Sequence, residues 1–462
     1  MSKQKKSNFL LLLLLISASF ATSAQTRYEL TVQQAVELAY KNVIELKNAQ
    51  LDYKIQEAQN KEITGRALPQ ISANGGTQYF LKVPQVLFPQ SDEAVYNVLR
   101  NQGLIGSGVK APPPVLVPFS FQQPWNLSLG ATLQQLLFQP DVFVGLQARK
   151  TALNLSASVI DQTKEAIKDS AYRRYYAILI AEKQRGFLNE SVARLEKLYH
   201  DDSVMFKNGF AEQLDMDRVQ VQLTNLRTSQ SIFNNSILLG YAAMKFALGI
   251  SQKDTVVLRE ELTNETVKEN VLDENFKYED RAEIRTLGFN RQLQELDVKR
   301  NKLAALPTVA LAGNYTVNAM GPKFFTDPAT SWLKSSYVGL NVAVPLFDGN
   351  QRRYRVKQSQ FNVEKVDNNI DQVKQVIDLQ QTVSKQSLTN ALLNLDAQQR
   401  NMTLAESVYN TTKKKFEAGI GSSFEILQAE NDLQTAQSNY FNGLYNAIIA
   451  KIAYQSSLGK LK

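Results

Sequence analysis

The segment ALPQISANGGTQY at residues 67–79 returns as ALPTVALAGNYTV at residues 305–317, 238 positions later. A repeat constrains a chain more strongly than its composition, because both copies must fold the same way and then pack in one molecule. At the same offset Glu45 matches Glu283, Gln56 and Glu57 match Gln294 and Glu295, Lys61 matches Lys299, and Gly75 matches Gly313. At offset 209, LGATLQQLLF matches VGLNVAVPLF, pairing Gly130 with Gly339 and Leu137-Phe138 with Leu346-Phe347. From Phe206 onward the offset is 210 without a gap, so Gly209 pairs with Gly419, Leu223 with Leu433, and Leu248-Gly249 with Leu458-Gly459. The 462 residues therefore hold two copies of one unit.

Each copy reads as helix, strand, loop, strand, long helix, turn, long helix. The first repeat is expected at 25–250, with strands at 70–80 and 125–138 and a helical turn near 209. A linker follows at 251–280. The second repeat is expected at 281–462, with strands at 307–318 and 337–347 and a turn near 419.

The strands alternate with period two, which places successive side chains on opposite faces. Ile71, Ala73, Gly75, Thr77 and Tyr79 oppose Ser72, Asn74, Gly76 and Gln78, and Leu127, Leu129, Ala131 and Leu133 oppose Asn126, Ser128, Gly130, Thr132 and Gln134. In the second copy Val309, Leu311, Tyr315 and Val317 oppose Asn314, Thr316 and Asn318, and Val338, Leu340 and Val342 oppose Gly339 and Asn341. About ten residues suffice for a tilted strand to cross a bilayer. A half-buried sheet in a soluble protein also alternates, but its outer face usually carries Lys and Glu, whereas these polar faces carry Asn, Gln, Ser, Thr and Gly. Small membrane barrels need about eight strands or more, so a four-stranded contribution would be completed by other chains.

The loop at 81–124 holds seven of the thirteen prolines. Proline removes backbone donors, so the loop is expected to be irregular and external, either a lid or a self-packed excursion. Residues 350–416 contain neither proline nor glycine and would span ~100 Å as one helix. Val363, Val366, Ile370, Val373 and Ile377 step by three and four, a coiled-coil seam that thins into Gln380, Gln381, Thr382 and Ser384. The matching arm carries Ala148, Ala152, Ser156, Ala157 and Ser158. Small and polar residues there suit a hollow cylinder of helices, although surface coiled coils share this composition.

At the N-terminus Lys3, Lys5 and Lys6 precede an apolar run at 9–16 and small residues that suit cleavage after Ala24, so residues 1–24 are expected to be a secretory signal peptide. Its removal lowers the formal charge from +8 to about +5, too small a basic excess to imply nucleic acid. With no cysteine, the chain uses neither disulfides nor thiol-bound metal.

The twin ALP cassettes, VPLFDGNQRR at 344–353 opening a helix, and the two glycine turns followed by EILQAENDLQTAQSNY at 425–440 resemble the TolC-like outer-membrane efflux proteins, in order and over nearly the whole mature chain. The resemblance implies an α+β membrane protein. Three chains would each give four strands to a twelve-stranded β-barrel continuous with a helical coiled-coil tunnel in the periplasm. The homotrimer would be a passive channel of a tripartite efflux or type I secretion system in the outer membrane, meeting a periplasmic adaptor protein coupled to an inner-membrane pump or ABC exporter.

The turns match the adaptor-contacting tips of that family, which points to Phe206, Gly209, Phe210, Phe416, Gly419 and Ile420. Asp215 falls where the family places an aspartate in the links that close the periplasmic end. Its expected tyrosine and arginine partners are here Phe416 and Gly421, so closure must rest on other contacts. Glu425 matches an acidic position lining the constriction, to which Asp215 and Asp217 would add, giving a cation-favouring throat. Carboxylates at helix starts also simply complement the helix dipole.

No catalytic reading competes. His200, beside Asp201 and Asp202, is read as solvated, the other helical carboxylates as solvated faces, and no phosphate-binding GxxxxGK[ST] motif occurs. The chain is expected to be no enzyme and to need no cofactor. A trimeric adhesin or stalk is the alternative architecture, but it would not repeat its strands and helices internally.

Overall fold

The structure is a computed structural model that describes residues 26–260, 267–268, 276–323 and 327–461. The expected signal peptide lies outside these residues. Two compact units form, one from residues 58–149 and 294–361, the other from the rest of the described residues. Each unit draws on both repeats.

The smaller unit is built on an antiparallel sheet in the order β2-β5-β7-β8. β2 is Gln70–Tyr79, β5 Trp125–Phe138, β7 Thr308–Gly321 and β8 Ser331–Ala343. The register brings the alternating sets together across all four strands. Ala73 faces Ala131 and then Tyr315 and Ser336 along one row, while Asn74, Gly130, Thr316 and Ser335 form a row of the opposite face. The apolar face carries Ile71, Leu127, Leu129, Leu133, Val309, Leu311, Val317, Leu340 and Val342, with Lys334 opposite Val317; the other is lined mainly by Asn, Ser, Thr, Gln and Gly. β8 starts earlier and stops earlier than the expected 337–347. Pro345 offers no donor to a ladder, which fits an end at Ala343, and the residues from Ser331 to Tyr337 escape the pattern because Leu333 and Tyr337 stand on the polar face.

The loop at 81–124 is not irregular as expected. It folds as a two-stranded ribbon, β3 (Val86–Gln90) with β4 (Val115–Phe119), and a helix, α3 (Glu93–Asn101). Pro89 lies opposite Leu116 and Pro118 opposite Leu87. A two-stranded ribbon tolerates both prolines because each of its strands has an outer edge where no donor is required.

The larger unit holds helices α1 (Val32–Asn42), most of α2 (Ile44–Arg66), α4 (Pro140–Lys207) and α7 (Gln351–Glu417), all of α5 (Gln213–Ala247) and α8 (Ser423–Ser457), and half of α6 (Ala282–Leu303). The expected linker contributes a short strand, β6 (Thr255–Leu258), paired in parallel with β1 (Arg27–Leu30). On α7 the seam is real: Val366 and Ile377 are buried, with Ile370 and Val373 half-buried between them and Val363 half-buried one turn before. The main core gathers Leu30, Val36, Tyr175, Met244, Leu395 and Ile448, with the Tyr175 hydroxyl donating to the Leu30 carbonyl at 2.9 Å.

The duplication is visible at the helix ends. Gly249 and Gly459 both adopt left-handed backbone, at φ 65° and 68°, in matching turns after α5 and α8. A Cβ on Gly249 would stand 2.9 Å from the Asn42 backbone, and one on Gly459 2.9 Å from the Asp280 carbonyl. Asn42 and Asp280 are themselves repeat partners at offset 238. Close approach and positive φ act together at these sites, so Gly459→Ala is expected to destabilise by more than ~1 kcal/mol, read as a lowered unfolding midpoint. Unchanged stability would show that the helix end can shift freely.

Candidate functional site

The two helical turns lie in the larger unit and share one geometry. After α4, Gly209 at φ 80° closes onto the Phe206 carbonyl at 3.0 Å, and the Phe210 amide reaches the Met205 carbonyl at 2.8 Å. After α7, Gly419 at φ 71° closes onto Phe416 at 2.9 Å, and the Ile420 amide reaches Lys415 at 3.0 Å. These paired bonds satisfy carbonyls that a helix end would leave orphaned. The residue after each glycine is thrust outward: Phe210 is 80% exposed and Ile420 78%. Phe206 is exposed as well, whereas Phe416 packs against a core of Leu195, Val219, Leu223, Ile426 and Leu433.

The three expected aperture carboxylates differ in their surroundings. Asp215, in the first turn of α5, pairs with Arg218 at 3.4 Å, which offsets its charge. Asp217 is two residues on, about 200° around the helix, so it does not share the face of Asp215. Glu425 stands exposed in the first turn of α8, its amide donating to the Ser422 hydroxyl that caps the helix. Among the described residues neither Asp217 nor Glu425 makes an ion pair.

Three contacts that sequence reading missed join the hairpin of the first repeat to that of the second. The Arg218 guanidinium sits 5.6 Å from the centre of the Phe424 ring. Asp202, fully buried on α4, accepts a short hydrogen bond from the Ser423 hydroxyl at the start of α8. Deepest is Arg194, which donates to both oxygens of Glu430 at 2.8 and 3.0 Å and to the Ser191 hydroxyl at 2.7 Å, and lies 5.4 Å from the centre of the Tyr409 ring. Glu430 is 2% exposed. Reading the helical carboxylates as solvated faces is thus corrected for Asp202 and Glu430. The signal was present, since Glu430 falls on the stripe of Ile426, Leu433 and Gln437, where steps of three and four place it inward. His200 is exposed, as expected.

Burial pushes the Asp202 carboxyl above the ordinary aspartate range, opposed by the Ser423 hydroxyl and reinforced by Asp215 and Asp201, while its second oxygen has no hydrogen-bond partner. A group with a raised folded pKa contributes stability below its unfolded pKa, and that contribution is lost as pH rises through the folded value. Asp202→Asn is therefore expected to raise the unfolding midpoint at pH 7 and to give no gain below about pH 4. An equal change at both pH values would mean that charge is irrelevant at this position.

Among the described residues no group of His, Asp and Glu could hold a metal ion, and no helix is long and apolar enough to cross a membrane. Residues 279–460 match the family model described as outer membrane efflux protein. The likeness to that family lies in the second repeat.

Relatives extend the likeness to both repeats. The outer membrane protein TolC of Vibrio cholerae is 19% identical over 340 residues, covering 72% of this chain and 77% of TolC. In fold, the chain is similar to VceC of Vibrio cholerae, with a TM-score of 0.68 and 12% identity over 93% of this chain and 97% of VceC. It is similar also to the Campylobacter jejuni CmeC outer membrane channel, with a TM-score of 0.70 and 14% identity over 93% of this chain and 86% of CmeC. These likenesses are of fold, and they extend over both repeats.

Proposed function

We propose that three copies of the chain form the passive exit duct of a tripartite efflux or type I secretion system in the outer membrane, fed by an inner-membrane pump through a periplasmic adaptor. The carrying observation is the sheet. The edge strands β2 and β8 are exposed on nearly every residue and among the described residues have no partner beyond them, and the sheet divides into a mainly apolar face, whose one charge is Lys334 near the start of β8, and a polar, uncharged one. An open edge of this kind is unstable in lipid, and three four-stranded sheets joined edge to edge give a closed barrel with the apolar face toward lipid and the polar face toward water.

The aromatic residues fit such a wall. Tyr79 and Trp125 touch at 4.6 Å between ring centroids near one end of the apolar face, and Phe138 and Phe143 pair at 5.6 Å at the other end of β5. From Trp125 to Phe138 the strand runs ~43 Å, or about 30 Å along the normal when tilted by 45°, close to the thickness of a hydrocarbon core. Aromatic rings favour both interfaces of such a core.

Oligomeric mass and single-channel conductance of the detergent-extracted protein in planar bilayers test the reading together. A conducting trimer is the expected result; a soluble monomer would remove the barrel. On the same channel Glu425→Gln is expected to lower cation preference, because one carboxylate per chain is lost from the throat. Unchanged selectivity would remove Glu425 from the pathway.

A further inference from the structure

The strand β8 leads into α7 through a short turn, and the character of the chain changes abruptly across it. Val344, Leu346 and Phe347 are exposed, the last two 90% and 84%. Within ten residues of Phe347 follow Arg352, Arg353, Arg355 and Lys357. A cavity of about 520 Å³ opens here, lined by Lys302 from the end of α6 together with Asp348, Arg352, Arg353, Lys357 and Gln360. Its one carboxylate is committed, because Asp348 accepts the Arg352 amide at 2.8 Å and lies 4.0 Å from the Arg355 guanidinium. Lys357 lies over the Phe361 ring at 5.8 Å. Among the described residues Lys302, Arg352 and Arg353 form no ion pair, so the cavity concentrates positive charge beside an exposed apolar edge.

The turn itself does not require these cations. Continuing the repeat alignment at offset 209 places Phe143 and Val144 opposite Arg352 and Arg353, and the first repeat makes the corresponding passage from strand to helix with those apolar residues. The second copy thus carries a charge cluster that the shared scaffold leaves optional.

We propose that this cavity binds the phosphate of an anionic glycerophospholipid, with the acyl chains lying along Leu346, Phe347 and the apolar face of β8. Guanidinium groups match phosphate oxygens in geometry and charge, and basic residues next to a membrane-embedded surface attract anionic headgroups. The apolar residues beside the cluster favour a lipid over a soluble anion. The proposal rests on the barrel reading, under which this end of the sheet, where the long helices leave, meets the periplasmic leaflet.

The test is native mass spectrometry of the full-length, delipidated protein in detergent, titrated with phosphatidylglycerol or with phosphatidylcholine of the same acyl chains. Each cation near an anionic surface is worth about fivefold in binding, so Lys302→Gln with Arg352→Gln and Arg353→Gln is expected to weaken phosphatidylglycerol on the order of a hundredfold. Phosphatidylcholine binding should be alike in both proteins. The charge-conserving pair Arg352→Lys and Arg353→Lys should keep most of the phosphatidylglycerol, which separates lost charge from a misfolded turn. Equal retention of phosphatidylglycerol by the neutralised variant, or equal affinity of the wild type for the two lipids, would overturn the site. Displacement of phosphatidylglycerol by millimolar inorganic phosphate would assign the cavity to a soluble anion instead. An inserted trimer without lipid preference refutes this site alone, whereas a chain recovered in the soluble fraction refutes the barrel as well.

Discussion

Arg194→Met is expected to cost about 3–5 kcal/mol of stability, the largest loss from any single substitution considered for this protein. The substitution leaves Glu430 as a buried carboxylate from which both guanidinium hydrogen bonds have been taken, and burial already pushes that carboxyl up against the pull of Arg194. Glu430→Ala is expected to cost less, because the partly exposed Arg194 guanidinium keeps Glu190 at 3.8 Å and the Ser191 hydroxyl. The double variant with Met at both positions should recover most of the loss, since an apolar pair of similar volume carries no desolvation penalty. Denaturation midpoints of the detergent-solubilised protein provide the comparison. If the single losses simply add in the double variant, the pair is not coupled. The bond joins α4 of the first repeat to α8 of the second, so Arg194→Met should also raise the open probability in bilayers by loosening one hairpin from the other. This would supply the closing contact that Phe416 and Gly421 leave unmade in place of the tyrosine and arginine of related tunnels.

Phe210→Asp combined with Ile420→Asp is expected to abolish adaptor crosslinking while leaving the assembled protein in the membrane. The two side chains project from geometrically equivalent turns and touch little of their own chain. Fully burying one such side chain is worth about 1.5–3 kcal/mol, so losing two should weaken docking by a factor on the order of a hundred or more. Stability should hardly change, because neither residue belongs to a core. Intact crosslinking in the double variant would remove the tips from the docking surface.

Much of this fold was legible because the information is local and stated twice. Period-two alternation in VALAGNYTV and LGATLQQLLF is enough to place strands, and a glycine between a helical run and a new helix start is enough to place a turn. The parallel pairing of β1 with β6 was not legible, since RYEL and TVVL are four residues each and meet across more than two hundred positions. The ribbon within 81–124 was hidden by prolines that read as breakers but occupy strands with free edges. For the site, the exposed tip residues followed from the repeat, whereas Asp202, Arg194 and Glu430 were obscured by a general expectation about charge. A carboxylate on a long helix is usually solvated, and only its position on the inward stripe shows that it needs a partner.

The contacts of Gly249 with Asn42 and of Gly459 with Asp280 show that each copy closes on its own beginning rather than on that of its sibling. A duplicated gene whose halves each keep their own closure can diverge in one half without disturbing the other. Hence the first copy can carry a forty-residue excursion between its strands, and the second a cluster of cations below its own, while the pair still presents two like tips. In an assembly of three chains, such modules would alternate around the ring, making a wall of six positions with only threefold identity and two distinct kinds of seat for whatever docks there.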